Sequence, residues 1–120
     1  MRIHHLALRT ADLTALERFY ANVLGVPVMR RNHQHSVWLD AGGAIVMLER
    51  REDGEPAIEP ESKELICFGI APGERDAMRD RLAAAGIPLE AETAYTLYFR
   101  DPDGRRVGVS SFPDELRAPV

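Results

Sequence analysis

The pattern of apolar and polar residues over the first 28 positions predicts a strand, a helix and a second strand. Residues 3–8 form a short apolar run of the kind found in buried strands. Asp12 stands where a helix N-cap belongs, because its side-chain oxygen accepts the first free backbone N–H groups of a helix. Gly25 stands where a helix ends in a left-handed residue, and residues 26–28 then begin an extended segment. Between them, apolar residues recur at helical spacing over about three turns: Leu13, Leu16, Tyr20, Val23 and Leu24.

The same order of elements returns about 60 residues later. Residues 65–70 form a second apolar run, and a helical pattern carrying Met78, Leu82 and Ala85 follows it. Residues 25–28 read Gly-Val-Pro-Val and residues 86–89 read Gly-Ile-Pro-Leu, an offset of 61 residues. The chain is therefore expected to contain two copies of one structural module.

Each copy continues into further strands. In the first copy these are predicted at 28–31, 35–41 and 44–49, with a polar turn at 32–34. Gly42 and Gly43 are a strong two-residue hairpin signal, because both turn positions require positive φ. This turn sets the register of the last two strands: Asp40 lies opposite Ile45, Leu39 opposite Val46, Trp38 opposite Met47, Val37 opposite Leu48, and Ser36 opposite Glu49.

The predicted register gives this hairpin two different faces. One face is purely aliphatic and suits packing against the helix: Val37, Leu39, Val46 and Leu48. The other face mixes large apolar and polar groups, which suits the lining of a pocket: Ser36, Trp38, Asp40, Ile45, Met47 and Glu49.

The second copy is predicted to end in a hairpin of the same kind. A charged, proline-bearing linker at 52–63 precedes it, and strands are expected at 65–70, 87–90, 95–100 and 106–111. Residues 101–104, Asp-Pro-Asp-Gly, form the hairpin turn. A three-residue loop with a bulge at Gly104 places Tyr98 opposite Gly108, whereas a two-residue loop places Phe99 there; the proline and glycine favour Tyr98.

These elements predict an α+β fold of two tandem βαβββ modules in a single domain. Neither module is large enough to bury its helix and sheet alone, so the two are expected to form one curved, mostly antiparallel, eight-stranded sheet. The helices then lie outside and a concave cleft lies inside. The expected boundaries are 1–51 for module one, 52–63 for the linker, 64–114 for module two and 115–120 for an aperiodic tail.

Charge and cysteine content narrow the class of function. The net charge of −4 and the pI near 5.5 argue against binding to nucleic acid or to an anionic membrane, since both favour a basic surface. No apolar run reaches the length of a transmembrane helix. Cys67 is the single cysteine and has no internal disulfide partner, so a reducing, cytoplasmic location is expected.

Several short motifs resemble those of the vicinal oxygen chelate superfamily, which includes glyoxalase I, extradiol dioxygenases, fosfomycin-resistance enzymes, methylmalonyl-CoA epimerase and bleomycin-binding proteins. The resemblance covers nearly the whole chain. It implies the fold and leaves the reaction open, because this superfamily hosts lyases, isomerases, oxygenases and plain binders. The matching residues are His5-Leu6-Ala7-Leu8, Asp12-Leu13, Phe19-Tyr20, Leu24-Gly25 and Asp101-Pro102-Asp103-Gly104.

The resemblance also implies four metal-ligand positions, on the first and last strands of each module. In this sequence they are occupied by His5, Met47, Leu65 and Gly108. Zinc, iron, manganese and nickel sites need three or four nitrogen, oxygen or thiolate donors, and only His5 supplies one. We therefore expect no metal cofactor. The alternative is a rearranged site for Zn, Fe, Mn or Ni that uses His5 and Glu49, with Cys67 as a further donor in principle.

The remaining candidates favour a binding pocket. Trp38 and Met47 would form an apolar stacking surface for a flat ligand, or would simply fill the cavity. Tyr98 beside Gly108 suggests further space for a ligand. Arg9 and Arg100 are candidates to meet an anionic or carbonyl group. His5 is equally compatible with a structural role and with a functional one.

Two classes of function follow from these residues. The first is a metal-independent binder that sequesters a flat, partly apolar small molecule such as an antibiotic or a secondary metabolite. The second is a metal-dependent lyase, isomerase, thiol transferase or dioxygenase, with a metal-free enzyme using His5 as general base as a weaker variant. We also expect a homodimer, because open sheets leave edge strands unpaired. Each cleft would then be walled by His5, Trp38 and Met47 from one side and by Tyr98 and Gly108 from the other.

Overall fold

A computed structural model describes residues 1–113. The first module consists of β1 His5–Thr10, helix α1 Leu13–Glu17 continued by a π-helical turn Arg18–Val23, β2 Val28–Asn32, β3 Ser36–Asp40 and β4 Ile45–Arg50. The second consists of β5 Leu65–Gly69, a 3-10 turn Pro72–Glu74, helix α2 Arg75–Ala84, β6 Ala91–Glu92, β7 Thr96–Arg100 and β8 Arg106–Ser110. The α+β class and the two tandem βαβββ modules are confirmed. The expected tail at 115–120 lies outside the described residues.

Hydrogen bonding within residues 1–113 divides the strands into two four-stranded sheets in place of one continuous sheet of eight. Their orders are β1-β4-β3-β2 and β5-β8-β7-β6. The reason is that the first strand of each module pairs in parallel with the last strand of the same module, while the other pairs are antiparallel. The expected cleft between the modules stays a prediction.

The chain separates into two compact units. Unit one contains residues 1–61 together with Asp101–Arg105, the turn between β7 and β8. Unit two contains Ser62–Arg100 and, within the described part of the chain, residues 106–113. The boundary at 61–62 falls inside the predicted linker. No helix within residues 1–113 has the length and apolar character needed to cross a membrane.

The β3–β4 hairpin has the register that the two glycines predict. All five cross-strand pairs are present, including Trp38 with Met47. Gly42 and Gly43 adopt φ values of 72° and 110°. The aliphatic face is buried and contacts α1, whose own buried residues are Leu13 and Leu16.

The first helix differs from the regular helix that the spacing predicts. Asp12 caps it as expected, because its Oδ1 accepts a hydrogen bond from the backbone N–H of Ala15 at 3.1 Å. After Glu17 the helix widens, and the N–H of Leu24 donates to the carbonyl of Phe19, five residues back. The wider turn allows the adjacent Phe19 and Tyr20 both to be buried, which a uniform 3.6-residue period does not favour.

The bulged turn between β7 and β8 is confirmed. Tyr98 lies opposite Gly108, and Gly104 has a φ of 92°. Phe99 consequently points to the other side of the sheet and is fully buried. The other buried sheet residues on that side are Leu97, Val107 and Val109, and α2 adds the buried residues Met78 and Leu82 to the core.

The prediction of a strand at residues 87–90 is wrong. The strand that pairs with β7 is Ala91–Glu92, and residues 87–90 are irregular. The N–H of Ile87 donates to the carbonyl of Leu82, so the apolar segment after Gly86 closes the end of α2. The first hydrogen bond to β7 is made by Glu90, just before β6, whose backbone N–H donates to the carbonyl of Tyr98 at 2.7 Å.

Candidate functional site

Each sheet has a face opposite its helix, which we call the open face. In unit one the centre of this face is a row of three paired residues, Ala7, Met47 and Trp38, on β1, β4 and β3. Trp38 is half-buried. Its indole Nε1 is inaccessible to water and has no hydrogen-bond partner within the described residues. A buried N–H without an acceptor is costly, so Trp38 is a candidate to donate to a bound molecule.

Arg30 adds a cation to this row. It pairs with Trp38 across β2 and β3, and its guanidinium carbon lies 5.3 Å from the centre of the Trp38 ring. Its Nε donates to the side-chain oxygen of Asn32 at 2.9 Å. Sequence reasoning missed Arg30, because the turn lies at 33–35 and not at the predicted 32–34, and the predicted turn would pair Arg30 with Ser36.

The end of β1 in unit one carries a charged cluster. Arg9 donates from Nε and Nη2 to the two carboxylate oxygens of Glu55, at 3.0 and 2.8 Å, and lies 3.5 Å from Glu49. The hydrogen bond from Arg9, helped by one from the backbone N–H of Glu52, lowers the pKa of Glu55 to about 2. Arg9 and Glu49, which are paired across β1 and β4, thus interact through their side chains as well. The sequence gives no signal for Glu55, because residues 52–63 have the composition of a solvent-exposed linker.

His5 lies at the opposite end of the open face from Glu49. His5 pairs with Ile45, whereas Glu49 pairs with Arg9, four strand positions further along. Four strand residues span about 13 Å. His5 is exposed, and its Nδ1 lies 2.9 Å from Nδ1 of His4. The structure thus separates the two residues that the sequence suggested as a metal pair.

In unit two the equivalent row is Cys67, Gly108 and Tyr98. A Cβ at Gly108 would lie 3.1 Å from the sulfur of Cys67, so the thiol occupies much of the space beside the glycine. The thiol thereby reduces the space beside Gly108 that the sequence suggested for a ligand, and the role of Tyr98 in ligand binding stays a prediction. The guanidinium of Arg106 lies 4.3 Å from the centre of the Tyr98 ring and covers one of its faces.

Arg100, another candidate for ligand binding, is held by its own unit. Its Nε and Nη2 donate to Glu90 Oε1 at 3.2 and 2.7 Å, and its Nη1 donates to the carbonyl of Ser62 at 2.7 Å. Arg106 donates to the other oxygen of Glu90 at 3.1 Å. The hydrogen bond from Arg100 is the main cause of the lowered pKa of Glu90. The sequence does not reveal that Glu90 binds both arginines, because the strand predicted at 87–90 gives no indication of these side-chain partners.

The family model that describes the Glyoxalase/Bleomycin resistance protein/Dioxygenase superfamily matches residues 2–109. The chain belongs to this superfamily. The vicinal oxygen chelate resemblance inferred from the short motifs is thereby confirmed.

Known relatives of this superfamily member carry diverse names. The virulence protein STM3117 of Salmonella typhimurium strain LT2 is 28% identical over 123 residues, which cover 92% of the present chain and 84% of that protein. The lactoylglutathione lyase structure from Agrobacterium tumefaciens is 25% identical, with a TM-score of 0.70 and coverage of 91% and 92%. The structure of the fosfomycin resistance protein FosX from Listeria monocytogenes is 19% identical, with a TM-score of 0.78 and coverage of 100% and 98%.

The residues of this glyoxalase-type chain do not fit the superfamily's metal site. The register places Met47 and Gly108 at equivalent positions, opposite Trp38 and Tyr98 in their respective sheets. A thioether and a glycine at these positions, and leucine at 65, offer no hard donor. Within residues 1–113, no three side chains of His, Cys, Asp or Glu are grouped as a metal site requires.

Proposed function

We propose that this chain is a small-molecule-binding member of the superfamily that sequesters a flat, partly apolar compound without a resident metal. The observation that carries this proposal is the row of Ala7, Met47 and Trp38 on the open face of unit one. It joins an aromatic surface to a buried indole N–H that has no partner within the described residues.

The chemistry of the row defines the class of ligand. The indole of Trp38 and the thioether of Met47 favour a planar, polarisable ring system. The free N–H of Trp38 favours an acceptor at the edge of that ring, such as a carbonyl or a ring nitrogen. The cation of Arg30 at the ring of Trp38 favours an electron-rich or anionic compound.

Metal independence is supported by donor chemistry. Three of the four family ligand positions carry side chains without nitrogen, oxygen or thiolate donors. The register separates His5 from Glu49, and the carboxylate of Glu49 faces Arg9. A lyase or dioxygenase reaction that depends on a metal held by this face would therefore lack its ligands. The proposed function therefore differs from the lyase and fosfomycin-resistance activities for which two of the similar structures are named.

The proposal also includes a homodimer in the cytoplasm. β1 and β5 are the first strands of their sheets and pair on one side only within residues 1–113. Both carry exposed leucines, Leu6 at 39% and Leu65 at 43% exposure. Pairing such edges across a two-fold axis would satisfy backbone groups and cover apolar surface.

Binding is tested with bleomycin and with acridine, a planar heteroaromatic, added to the purified chain. Trp38 is the single tryptophan, so its fluorescence is expected to change on binding. By calorimetry, Trp38→Ala should weaken binding by about 1–3 kcal/mol, the range for a lost stacking surface. Trp38→Phe, which keeps a ring but loses the N–H, should lose about 1 kcal/mol.

The matched control is Met29→Ala, because Met29 is an exposed apolar residue on the neighbouring strand β2. It should leave affinity unchanged. Equal affinities in the wild type and in folded Trp38→Ala would remove Trp38 from the site and refute the proposal. Elemental analysis provides a second test: about one zinc, iron, manganese or nickel ion per chain, lost in His5→Ala, would favour the metal-dependent alternative.

A further inference from the structure

Unit two contains a cavity of about 1190 Å³ that extends beyond its open-face row, and Cys67 of that row lines the wall. It lies where β5 ends and the chain turns into α2, beside the end of β8 and the segment before β7. Small-molecule sites commonly occupy clefts of roughly 300–1,000 Å³, so this cavity is large enough for a ligand. Its walls combine aromatic residues with one arginine and two serines.

The arginine in the wall is Arg75, the first residue of α2. Its Nη2 donates to a carboxylate oxygen of Glu92 at 3.1 Å and to the carbonyl of Thr93. Its Nη1 is inaccessible to water and has no hydrogen-bond partner within the described residues. The guanidinium is thus oriented through one amino group while the other lacks an acceptor, an arrangement that costs free energy unless an acceptor arrives.

The charge around Arg75 is not balanced by its partner. Glu92 also accepts hydrogen bonds from both terminal nitrogens of Arg79, at 3.3 and 2.7 Å. One carboxylate therefore serves two guanidinium groups. Arg75 and Arg79 thus share the negative charge of Glu92. An anionic oxygen would both neutralise the remaining positive charge and supply the missing acceptor.

Hydroxyl groups lie on another wall of the cavity. Ser110 Oγ accepts hydrogen bonds from Thr96 Oγ1 at 2.8 Å and from the backbone N–H of Phe112 at 3.1 Å, so its own proton remains available for donation. Among the described residues, Ser111 Oγ makes one long side-chain contact, 3.5 Å from the carbonyl oxygen of Tyr95. These hydroxyls are suited to a second polar atom of an anionic group.

The rim of the cavity is aromatic. The rings of Tyr95 and Phe112 meet edge to face with centres 5.0 Å apart, and they remain 41% and 51% exposed. Phe68 and Ile70 also line the wall. Exposed aromatic rings beside an unsatisfied cation favour a ligand with an apolar ring and one negative end.

The first module carries a charged cluster at its corresponding strand end. There Arg9 pairs with Glu55, and the N–H of Arg51 donates to the carbonyl of Thr10. Glu49, 61 residues before Ser110, extends that charged cluster. The second module has hydroxyls where the first has an ion-paired carboxylate.

We propose that this cavity is a second, independent ligand site that binds a small aromatic carboxylate, with Arg75 as its anion-recognition residue. Because Nη1 is inaccessible to water, the binding of a ligand at this atom requires the Arg75 side chain or its neighbours to move, and side-chain rearrangement on binding is common. The proposal does not depend on the Trp38 row.

The test uses 3-phenylpropionate and its uncharged amide, titrated into the full chain and followed by ¹H–¹⁵N NMR. The carboxylate is expected to shift the resonances of cavity residues and to bind about tenfold more tightly than the amide. Arg75→Gln should abolish that preference. Arg79→Gln is the matched control, because Arg79 shares Glu92 but does not line this cavity, and it should retain the preference within about twofold.

Three results would overturn the proposal: equal affinity for acid and amide, an unchanged preference in Arg75→Gln, or shifts confined to the surroundings of Trp38. If Arg75→Gln does not fold, Ser111→Ala decides, with an expected loss of about threefold in affinity for the acid and a neutral result counting against the site. Trp38→Ala should leave the acid affinity unchanged. This separates failure of the cavity proposal from failure of the Trp38 proposal.

Discussion

The hydroxyl of Tyr20 donates a hydrogen bond of 2.6 Å to the carboxylate of Asp101, although 81 residues separate them in the chain. Both side chains are buried within unit one. Asp101 also accepts from the backbone N–H groups of Asp103 and Arg105 and pairs with the Arg105 guanidinium at 3.1 Å. Arg105 in turn donates to the carbonyl of Arg9. The buried carboxylate is thus fully satisfied, which is the condition under which such a charge is tolerated.

Removing the tyrosine hydroxyl should destabilise the protein. Tyr20→Phe leaves a buried carboxylate oxygen with one donor fewer, so we expect a loss of about 1–3 kcal/mol in the free energy of unfolding. Urea denaturation measures this loss, with Tyr95→Phe at an exposed tyrosine as the neutral control. A change equal to that of the control would show that the hydrogen bond contributes nothing.

Asp101→Asn should be the more damaging substitution. It removes one of the two carboxylates that pair with Arg105, whose side chain is only 10% exposed, and breaking a buried ion pair costs up to about 3–5 kcal/mol. The same denaturation experiment applies. A loss smaller than that of Tyr20→Phe would indicate that Asp103 alone compensates Arg105.

The Arg9–Glu55 pair should make stability depend on pH in the acid range. The pKa of Glu55 is lowered to about 2 in the folded state from an ordinary value of 4.5. The pair therefore stabilises the fold above about pH 4.5, and this contribution is lost as the pH falls from there towards 2. Carbon NMR of the Glu55 carboxyl should give a titration midpoint near 2, and Arg9→Gln should return it towards 4.5. A midpoint near 4.5 in the wild type would contradict the ion pair.

Gly108 and Cys67 should be energetically coupled. A Cβ at position 108 would lie 3.1 Å from the Cys67 sulfur and 3.4 Å from the carbonyl of Leu97. Gly108→Ala is therefore expected to cost about 1–3 kcal/mol through overpacking. Adding Cys67→Ala removes the sulfur and should recover at least part of that loss in a double-mutant cycle. Additive effects of the two substitutions would show that the sulfur is not the obstacle.

The dimer proposal has a direct physical test. Sedimentation equilibrium at micromolar concentration should give twice the chain mass of 13.4 kDa. Leu65→Lys places a charge on the edge strand β5, where Leu65 is 43% exposed, and should weaken association. Thr14→Lys, at an exposed position on helix α1 and not on an edge strand, serves as the control. A particle of single-chain mass in the wild type would rule the dimer out.

The local sequence was sufficient to predict the two modules and the strand registers of the β3–β4 and β7–β8 hairpins. Gly42 and Gly43 accept positive φ, and the turn at residues 101–104 takes a bulge at Gly104, so strand pairing follows from backbone constraints a few residues long. These constraints also place Trp38 opposite Met47 and Tyr98 opposite Gly108, as expected from sequence.

The amino-acid sequence by itself determined the two βαβββ modules, the aliphatic core face and the pairing of Trp38 with Met47, because periodicity and turn residues act over short distances. Only the tertiary structure decided that Arg9 forms an ion pair with Glu55, that Asp101 accepts a hydrogen bond from Tyr20, and that Arg75 lines a cavity. These contacts join residues far apart in the chain, and a charged side chain carries no local signal of its partner. The π-helical turn is likewise set by tertiary structure, because it allows Phe19 and Tyr20, which are adjacent in the chain, both to be buried in the core.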